Sequence, residues 1–536
     1  MIDVAARVPF LARVRARATA VPWFWVGVVA TAAALMAVLI VFLRTWPPHE
    51  DEALALFTGR LSLPDLLRTV IADRGGAPLH FVLAWIVVQL GGGLTMLRAV
   101  SLLFAIASVP AIAALGARLA DRLTGLIAAV LASGTWVFLF HGIYGRMYSL
   151  FLFTSALSFI TLLDALELGG RRRFTLWGAA TWLMLASHPY AVLVVGAQVV
   201  FVAVRRVRLR PAAVTLAALA VAATPFWWAD VVLRDRFHVG VGGGGPRLGS
   251  PRAVVHYFWW VAGDMAAGHH EWSTPVLLLA LAGFVLLGIR RPPSALLTAC
   301  VVVVPGTAFV VAKLHATASP EARHLIFALP FFSTLLATPL AAVGRLRPPL
   351  TLVAAAAAVA VLVFGEASWA HRKTPPLFDG DPPGERAARD AAAAWLARDA
   401  RPDDVLLGYE PVYLRAWEDN RSFSRYALPR ADPKLLAEAL KKVPEPLGRG
   451  VWVFDASDTT NVWERQTIRF ALPRPTSEFE GRAYGPYLVI RSREPLRTRQ
   501  RFLDVSERVM RLGRSLRIGD ADINLHSLLV AESHFF

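Results

Sequence analysis

Apolar positions run in long blocks from residue 21 to about residue 368, with short polar segments between the blocks. A helix needs about 20 apolar residues to cross the hydrocarbon core of a bilayer. By that measure the chain contains about eleven membrane-spanning helices. They are predicted at residues 21–43, 96–117, 122–140, 149–168, 174–187, 190–204, 212–232, 274–289, 294–312, 324–343 and 350–368. The pattern therefore predicts an all-α, polytopic membrane domain over residues 1–370.

Clusters of arginine between the apolar blocks orient the predicted helices. Loops rich in Lys and Arg stay on the cytoplasmic side of a membrane. The clusters at residues 171–173, 205–210, 290–291 and 345–347 all fall on one side of the alternating helices. The first block is longer than a signal-peptide core, which favours a retained span. We therefore expect a multi-pass protein of a bacterial inner membrane, with a cytoplasmic N-terminus and extracytoplasmic residues after 368.

One apolar block, residues 77–90, is short for a span, since it has about 14 residues between two groups of glycines. If it crossed the membrane, the loop with Arg118 and Arg122 would move outside. A later span would then have to be lost to keep Arg171 inside. A re-entrant or interfacial helix avoids both changes and is the preferred interpretation, with a span as the alternative.

The chain predicts two long extracytoplasmic loops, residues 44–76 and 230–273, and a separate domain at residues 371–536. In that last region, short apolar runs at residues 405–409, 451–455 and 487–490 indicate buried strands. Helical patterns at residues 385–398 and 433–442 alternate with them. This order predicts a small extracytoplasmic α/β domain. It shows no nucleophile–base pair and no phosphate loop, so its expected role is to cap an active site or to receive an acceptor.

The formal net charge of +17 suggests nucleic acid at first sight. The arginines, however, form short clusters between apolar blocks, as in loops held against an anionic membrane surface. Nucleic-acid binding is therefore not predicted. Cys300 is the only cysteine and lies in an apolar block, which excludes an internal disulfide and a multi-thiol metal site.

Two carboxylates follow the first predicted span and lie near the outer membrane face. Asp51 and Glu52 stand in the acidic run 50–52, about eight residues beyond the apolar core. A carboxylate there could act as a general base or as a metal ligand in group transfer to a hydroxyl or an amine. The alternative is a solvated acidic loop.

Basic and aromatic residues at three other helix ends fall on the same predicted face. Arg146 needs a partner at that depth, and its planar fork suits a phosphate, with snorkelling to the interface as the alternative. The remaining candidates are Tyr148 in the same segment, His188 in a hairpin, and Lys313, Arg323 and His324 in one loop. Each loop alone could be an ordinary turn. Together they would place a carboxylate beside an anion-binding pocket.

The order of these motifs resembles a known family. The motifs are the Asp-Glu pair 51–52, Pro-Leu-His-Phe at 78–81, Gly-Arg-Met-Tyr-Ser-Leu at 145–150, Ser-His-Pro-Tyr at 187–190, and Ala-Arg-His-Leu at 322–325 with Pro330. The chain through residue 368 is similar to the GT-C glycosyltransferases of the protein O-mannosyltransferase and aminoarabinose-transferase type (glycosyltransferase families 39 and 83). The remaining residues match more loosely.

The resemblance implies inverting transfer of a sugar from a polyprenyl-phosphate carrier at the outer membrane face. It implies that Asp51 is the general base for the acceptor and that Glu52 positions Asp51 or the acceptor. The residues implied to bind the lipid phosphate are Arg146, Tyr148 and Arg323, with Lys313 and His324 and, more loosely, His188. Relatives often carry an acidic residue shortly before the arginine, where this chain has Tyr144 and Gly145. That departure weakens the case for a divalent metal, and no cofactor is predicted.

Two other functions remain open at this stage: a lipid or sugar transporter or flippase, and a non-catalytic scaffold of the cell envelope. A transporter would show ionisable residues or broken helices at mid-membrane and matched halves. The polar candidates instead gather at one face. The expected partners are a polyprenyl-phosphate sugar donor, an envelope acceptor of unidentified class (lipid, glycan or protein) and membrane lipids.

Overall fold

The computed structural model describes residues 22–43, 46–73, 77–228, 250–266, 273–311, 322–346, 348–373, 385–429, 433–455 and 478–515. Its membrane part is helical. The helices are α1 (Pro22–Phe42), α2 (Glu50–Gly59), α3 (Leu63–Asp73), α4 (Pro78–Gln89), α5 (Leu94–Leu119), α6 (Arg122–Ser133), α7 (Trp136–Ile143), α8 (Tyr148–Leu168), α9 (Arg171–Ser187), α10 (Ala191–Arg205), α11 (Leu209–Ala222), α12 (Pro251–Asp264), α13 (Ser273–Arg290), α14 (Pro292–Val311), α15 (Leu329–Leu346) and α16 (Pro348–Lys373). A 3-10 segment, Ala322–Ala328, leads into α15.

Within the described ranges, seven helices are long and apolar enough to cross a membrane: α1, α5, α8, α13, α14, α15 and α16. The count rises to eight if α6 and α7 form one bent span. The predicted spans at residues 174–187, 190–204 and 212–232 coincide with α9, α10 and α11, which have 17, 15 and 14 residues. The protein is thus a multi-pass membrane protein, and the count of about eleven spans stays a prediction.

The predicted helix 122–140 is broken, and the break points its second half toward one end of the membrane domain. Helices α6 and α7 meet at an angle of 67°. The break lies at Gly134, which ends α6, directly beneath Gly365 of α16. A Cβ at Gly365 would lie on the carbonyl oxygen of Gly134, so the two backbones are in contact. Only glycine permits that approach, because it lacks a Cβ.

Polar side chains join three of the membrane helices in their interior. The indole of Trp177 on α9 donates to Gln198 on α10 over 3.0 Å, and the Gln198 amide donates to Ser158 on α8 over 2.7 Å. Thr181 contacts the Ser158 hydroxyl at 2.9 Å. All four side chains are fully buried. Because unsatisfied polar groups are costly in hydrocarbon, the network fixes the register of α8, α9 and α10.

Helix α4 occupies the block that the sequence left ambiguous. It has 12 residues, fewer than a span requires. Its residues Phe81, Ala84 and Val87 pack in one core cluster with Trp395 and Trp417 of the C-terminal region. The helix therefore lies between the membrane helices and the C-terminal sheet.

The C-terminal region contains a five-stranded mixed sheet in the order β2-β1-β3-β5-β4. Its elements are α17 (Glu385–Arg398), β1 (Val405–Leu407), α18 (Pro411–Asp419), β2 (Tyr426–Leu428), α19 (Pro433–Lys441), β3 (Gly450–Asp455), β4 (Phe479–Tyr484), β5 (Tyr487–Ser492) and α20 (Arg499–Ser515). Strands β1, β2 and β3 are parallel to one another. Strand β5 runs antiparallel to both of its neighbours, β3 and β4. The prediction of a helical membrane domain followed by a small α/β domain is confirmed.

The end of α18 and the following loop attach the sheet to the membrane domain. Glu418 accepts a hydrogen bond from the backbone N–H of Leu94, at the start of α5, over 2.9 Å. Arg60, just after α2, donates to the carbonyl oxygen of Phe423 over 2.8 Å. Arg421 donates to the carbonyl oxygens that follow α4. These contacts hold the sheet directly over α2 and α4.

The contact between Gly134 and Gly365 predicts a specific stability difference between two helical glycines. Gly365→Ala should lower the melting temperature in detergent, because its Cβ has no space between the two backbones. Gly288→Ala on α13 is the matched control, since the nearest atom would lie 3.9 Å from its new Cβ. Equal melting temperatures for the two variants would show that the helices do not cross as described.

Candidate active site

The first turn of α2 carries the two predicted carboxylates. His49 precedes the helix, and its Nδ1 accepts the backbone N–H of Asp51 over 3.1 Å. The Glu52 side chain accepts the backbone N–H of His49 over 3.1 Å, which completes a capping box. Acidic residues also favour the positive end of the helix dipole. The acidic run is therefore the start of a helix, and not a disordered loop.

Glu52 is fully buried in an ion pair with Arg98 of α5. Arg98 Nη2 lies 2.6 Å from Glu52 Oε2, and Arg98 Nε lies 2.8 Å from Oε1. The same guanidinium donates to the carbonyl oxygens of Trp46 and Pro47. Glu52 Oε1 also accepts the backbone N–H of Gly145 over 2.8 Å. Both carboxylate oxygens of Glu52 thus accept hydrogen bonds from the chain itself.

Asp51 points the other way and keeps about a quarter of its side chain (26%) exposed. Its Oδ2 accepts the phenol of Tyr144 over 2.8 Å, and its Oδ1 lies 3.6 Å from Arg146 Nη2. Burial alone would raise the pKa of the Asp51 carboxyl. The charge of Arg146, together with His49 and Arg323, outweighs that effect and holds the pKa well below its usual range. Asp51 is therefore a carboxylate at neutral pH.

Arg146 lies in the segment between α7 and α8, which the bend at Gly134 brings over α2. Its side chain is 12% exposed. One Nη approaches the carbonyl oxygen of Asp51 at 3.5 Å, and the other approaches the Asp51 carboxylate. Its Nε is buried and has no hydrogen-bond partner among the described residues. The guanidinium thus has donor capacity for an anion beside Asp51.

Aromatic rings from three elements line the other side of Arg146. Tyr148, at the start of α8, has its ring centroid 5.6 Å from that of His188 and 6.0 Å from that of His324. His324 stacks on Tyr190 at 5.1 Å. The guanidinium of Arg323 lies over the Tyr148 ring at 5.5 Å. The hairpin 187–190 and the 3-10 segment therefore meet the Arg146 segment at one place.

The structure brings together most of the residues that the sequence singled out. Asp51, Arg146, Tyr148, His188, Arg323 and His324 surround one site, and Glu52 lies directly behind it. Lys313 lies outside the described residues. Their roles in catalysis and phosphate binding stay predictions.

Three residues of the site were not among the sequence candidates. Arg98 could have been found from the sequence, because a charged residue at the edge of an apolar block needs a buried partner of opposite charge. Tyr144 was noted only for what it replaces, yet its hydroxyl contacts Asp51. His80 on α4 is 3% exposed, and its Nε2 has no hydrogen-bond partner within the described part of the chain. Burial, aided by Arg146, lowers the pKa of His80 to about 3, so its imidazole is neutral.

The described residues contain no group of three or more His, Cys, Asp or Glu side chains placed to hold a metal ion. At the site itself, the Tyr144 phenol takes up one oxygen of Asp51. That no cofactor is needed stays a prediction of the sequence.

The buried pair predicts that Arg98→Met is strongly destabilising. Removing one partner leaves Glu52 as an uncompensated buried charge, at a cost of about 3–5 kcal/mol. Arg68→Met is the control, because the Arg68–Asp65 pair is exposed and worth about 0–1 kcal/mol. Thermal unfolding in detergent measures both. A melting temperature for Arg98→Met equal to that of the control would contradict the pairing.

Comparison with known proteins shows a similarity of fold. No protein-family model matches the chain. No curated protein matches it in sequence. Its fold is similar to ArnT from Cupriavidus metallidurans in the apo state, with a TM-score of 0.53 and 13% identity over 87% of this chain and 97% of that one.

The fold is also similar to that ArnT bound to undecaprenyl phosphate, with a TM-score of 0.52 and 12% identity over 88% of this chain and 98% of that one. A third structure is the archaeal oligosaccharyltransferase AglB from Archaeoglobus fulgidus with an inhibitory peptide and a dolichol-phosphate. Its TM-score is 0.51, with 10% identity over 81% of this chain and 70% of that one. At this level of identity the likeness concerns the fold, and the chain has the fold of the GT-C glycosyltransferases.

Proposed function

We propose that the protein is an inverting glycosyltransferase that moves a sugar from a polyprenyl-phosphate donor to an envelope acceptor at the extracytoplasmic membrane face. The observation that carries the proposal is the position of Asp51, a partly exposed carboxylate 3.6 Å from the buried guanidinium of Arg146. A base and an anion-binding group are the two requirements of transfer from a sugar phosphate. The solved ArnT and AglB structures with undecaprenyl phosphate and dolichol-phosphate support the choice of donor.

In the proposed reaction, an acceptor oxygen or nitrogen attacks the anomeric carbon of the donor. The bond between that carbon and the phosphate oxygen breaks, and the polyprenyl phosphate leaves with the bonding electron pair. Asp51 takes the proton of the acceptor, through Oδ1, while the Tyr144 phenol occupies Oδ2. Arg146 and Arg323 stabilise the charge that develops on the phosphate.

The same arrangement couples donor binding to the basicity of Asp51. In the absence of donor, Arg146 is the largest of the effects that lower the pKa of Asp51. A phosphate on Arg146 adds a negative charge beside the carboxylate and shares the guanidinium. Both changes raise the pKa of Asp51, because a nearby like charge disfavours ionisation. The base therefore becomes stronger when a donor is present to react.

Sugar transfer by purified protein tests the proposal. Wild type and Asp51→Asn are incubated with a panel of radiolabelled polyprenyl-phosphate sugars and a total envelope extract. Loss of a general base should lower the transfer rate by about 100-fold or more, with the melting curve still cooperative. Asp504→Asn, on α20, is the matched control and should transfer at the wild-type rate, since an asparagine keeps the oxygen that accepts the hydrogen bond from Gln500.

Two outcomes would oppose the proposal. Transfer by Asp51→Asn at the wild-type rate would remove Asp51 from the reaction. An absence of transfer from every donor, by wild-type protein that is folded and binds undecaprenyl phosphate, would favour a lipid transporter or a scaffold.

A further inference from the structure

A second polar cavity lies away from the candidate active site, where the end of α2 and helix α3 face strand β2 of the sheet. We call it the seam cavity. Its volume is about 820 Å³, within the usual range for ligand sites. None of the active-site residues described above lines it. It runs along β2, which is one of the two edge strands of the sheet.

The charge of the seam cavity is strongly unbalanced. Among the described residues, its lining contains four cationic side chains and one acidic side chain, which are Arg60, Arg68, Arg425, Lys442 and Asp65. The single carboxylate is already paired with Arg68 at 3.4 Å. Arg60 and Arg425 have no carboxylate partner among the described lining residues, so their positive charge attracts anions to the cavity.

Arg60 holds a fixed position at this cavity. Its Nη2 donates to the carbonyl oxygen of Phe423 over 2.8 Å, and its guanidinium lies 5.2 Å from the ring of Phe57 and 5.5 Å from that of Trp417. Its Nη1 is buried without a hydrogen-bond partner among the described residues. Burial and the neighbouring arginines lower the pKa of Arg60 to about 10, so it stays charged at neutral pH. Because Nη1 is closed to solvent, the rest of the Arg60 side chain, which lines the cavity and is held in place by these contacts, is the part that meets an anion.

The rest of the lining indicates what carries the anion. It includes five side-chain hydroxyls, those of Thr58, Ser62, Thr69, Tyr409 and Tyr426. A lipid phosphate is bound chiefly by cations, whereas hydroxyl groups and tyrosine rings also suit the hydroxyls and apolar faces of sugars. The composition therefore favours an anionic glycan over a lipid headgroup.

We propose that the seam cavity binds the acceptor, through a phosphate or carboxylate group carried on a glycan. This inference rests on the proposed function and names the acceptor class of that site. Asp51 and Arg60 lie at opposite ends of α2, about 14 Å apart at 1.5 Å per residue. The anionic group and the reacting group of the acceptor are thus separated by about the length of α2, which excludes a monosaccharide.

Binding measurements on the intact protein in detergent test the inference without any need for turnover. The probes are tetragalacturonate, a phosphorylated maltotetraose and neutral maltotetraose. At least one anionic probe should bind more tightly than maltotetraose. Arg60→Gln should weaken that binding by about tenfold or more, since a charge-assisted hydrogen bond is lost. Arg425→Gln, at an exposed position, should weaken it while the fold is intact.

Arg398→Gln, exposed on α17 and outside the cavity, is the matched control and should bind as wild type does. Equal affinity for charged and neutral probes, or wild-type affinity in both Arg60→Gln and Arg425→Gln, would overturn the inference. Displacement of the bound glycan by nanodiscs of phosphatidylglycerol, but not of phosphatidylcholine, would also overturn it in favour of a lipid headgroup.

The binding and transfer measurements together distinguish a failure of this inference from a failure of the proposed function. Asp51→Asn should bind the anionic glycan as tightly as wild type, since Asp51 does not line the cavity. Glycan binding without transfer by the wild type would count against the glycosyltransferase. Transfer with no effect of the Arg60 and Arg425 variants on the KM for acceptor would count against the seam cavity alone.

Discussion

The ion pair between Glu52 and Arg98 is the interaction on which the site depends. Both side chains are buried, and Arg98 Nη2 lies 2.6 Å from Glu52 Oε2. Through Glu52 it fixes the first turn of α2, and through the N–H of Gly145 it fixes the segment that carries Arg146. One buried carboxylate thus sets the separation of Asp51 from Arg146. Such a pair adds little net stability by itself, because desolvation offsets the attraction. Its contribution is to hold two elements in one arrangement, which is what preorganised electrostatic catalysis requires.

In the proposed reaction, Asp51 and Arg146 have roles that oppose each other until a donor binds. The guanidinium keeps the carboxylate ionised and weakly basic, and it is also the natural binding group for a phosphate. If the proposed function is correct, donor binding competes with the contact between Arg146 and Asp51. Tyr144 stays on the second oxygen of Asp51, so the carboxylate keeps its orientation while its partner changes. The neutral imidazole of His80 interacts electrostatically with both Arg146 and Asp51. Its Nε2 is buried and has no hydrogen-bond partner among the described residues.

The sequence predicted the fold class, the sheet domain and the grouping of the polar motifs, because apolar blocks and arginine clusters report directly on a membrane environment. It could not predict the break at Gly134, since the cause is a contact with Gly365, more than two hundred residues away. Likewise, only the family resemblance gave Asp51 and Glu52 different expected roles; the residues themselves did not. Their different contacts follow from a helix that turns adjacent residues about 100° apart, so that Glu52 meets Arg98 and Asp51 meets Arg146. Three short helices left the number of spans open.

The most direct test of the account is the affinity of the purified protein for undecaprenyl phosphate, measured for wild type, Arg146→Gln and Asp51→Asn. If the lipid phosphate binds Arg146 in competition with Asp51, Arg146→Gln should weaken binding by about tenfold or more, because a charge-assisted contact is lost. Asp51→Asn should bind as tightly as wild type or more tightly, because the competing carboxylate is gone. Weaker binding in Asp51→Asn, or unchanged binding in Arg146→Gln, would contradict the assignment of this site.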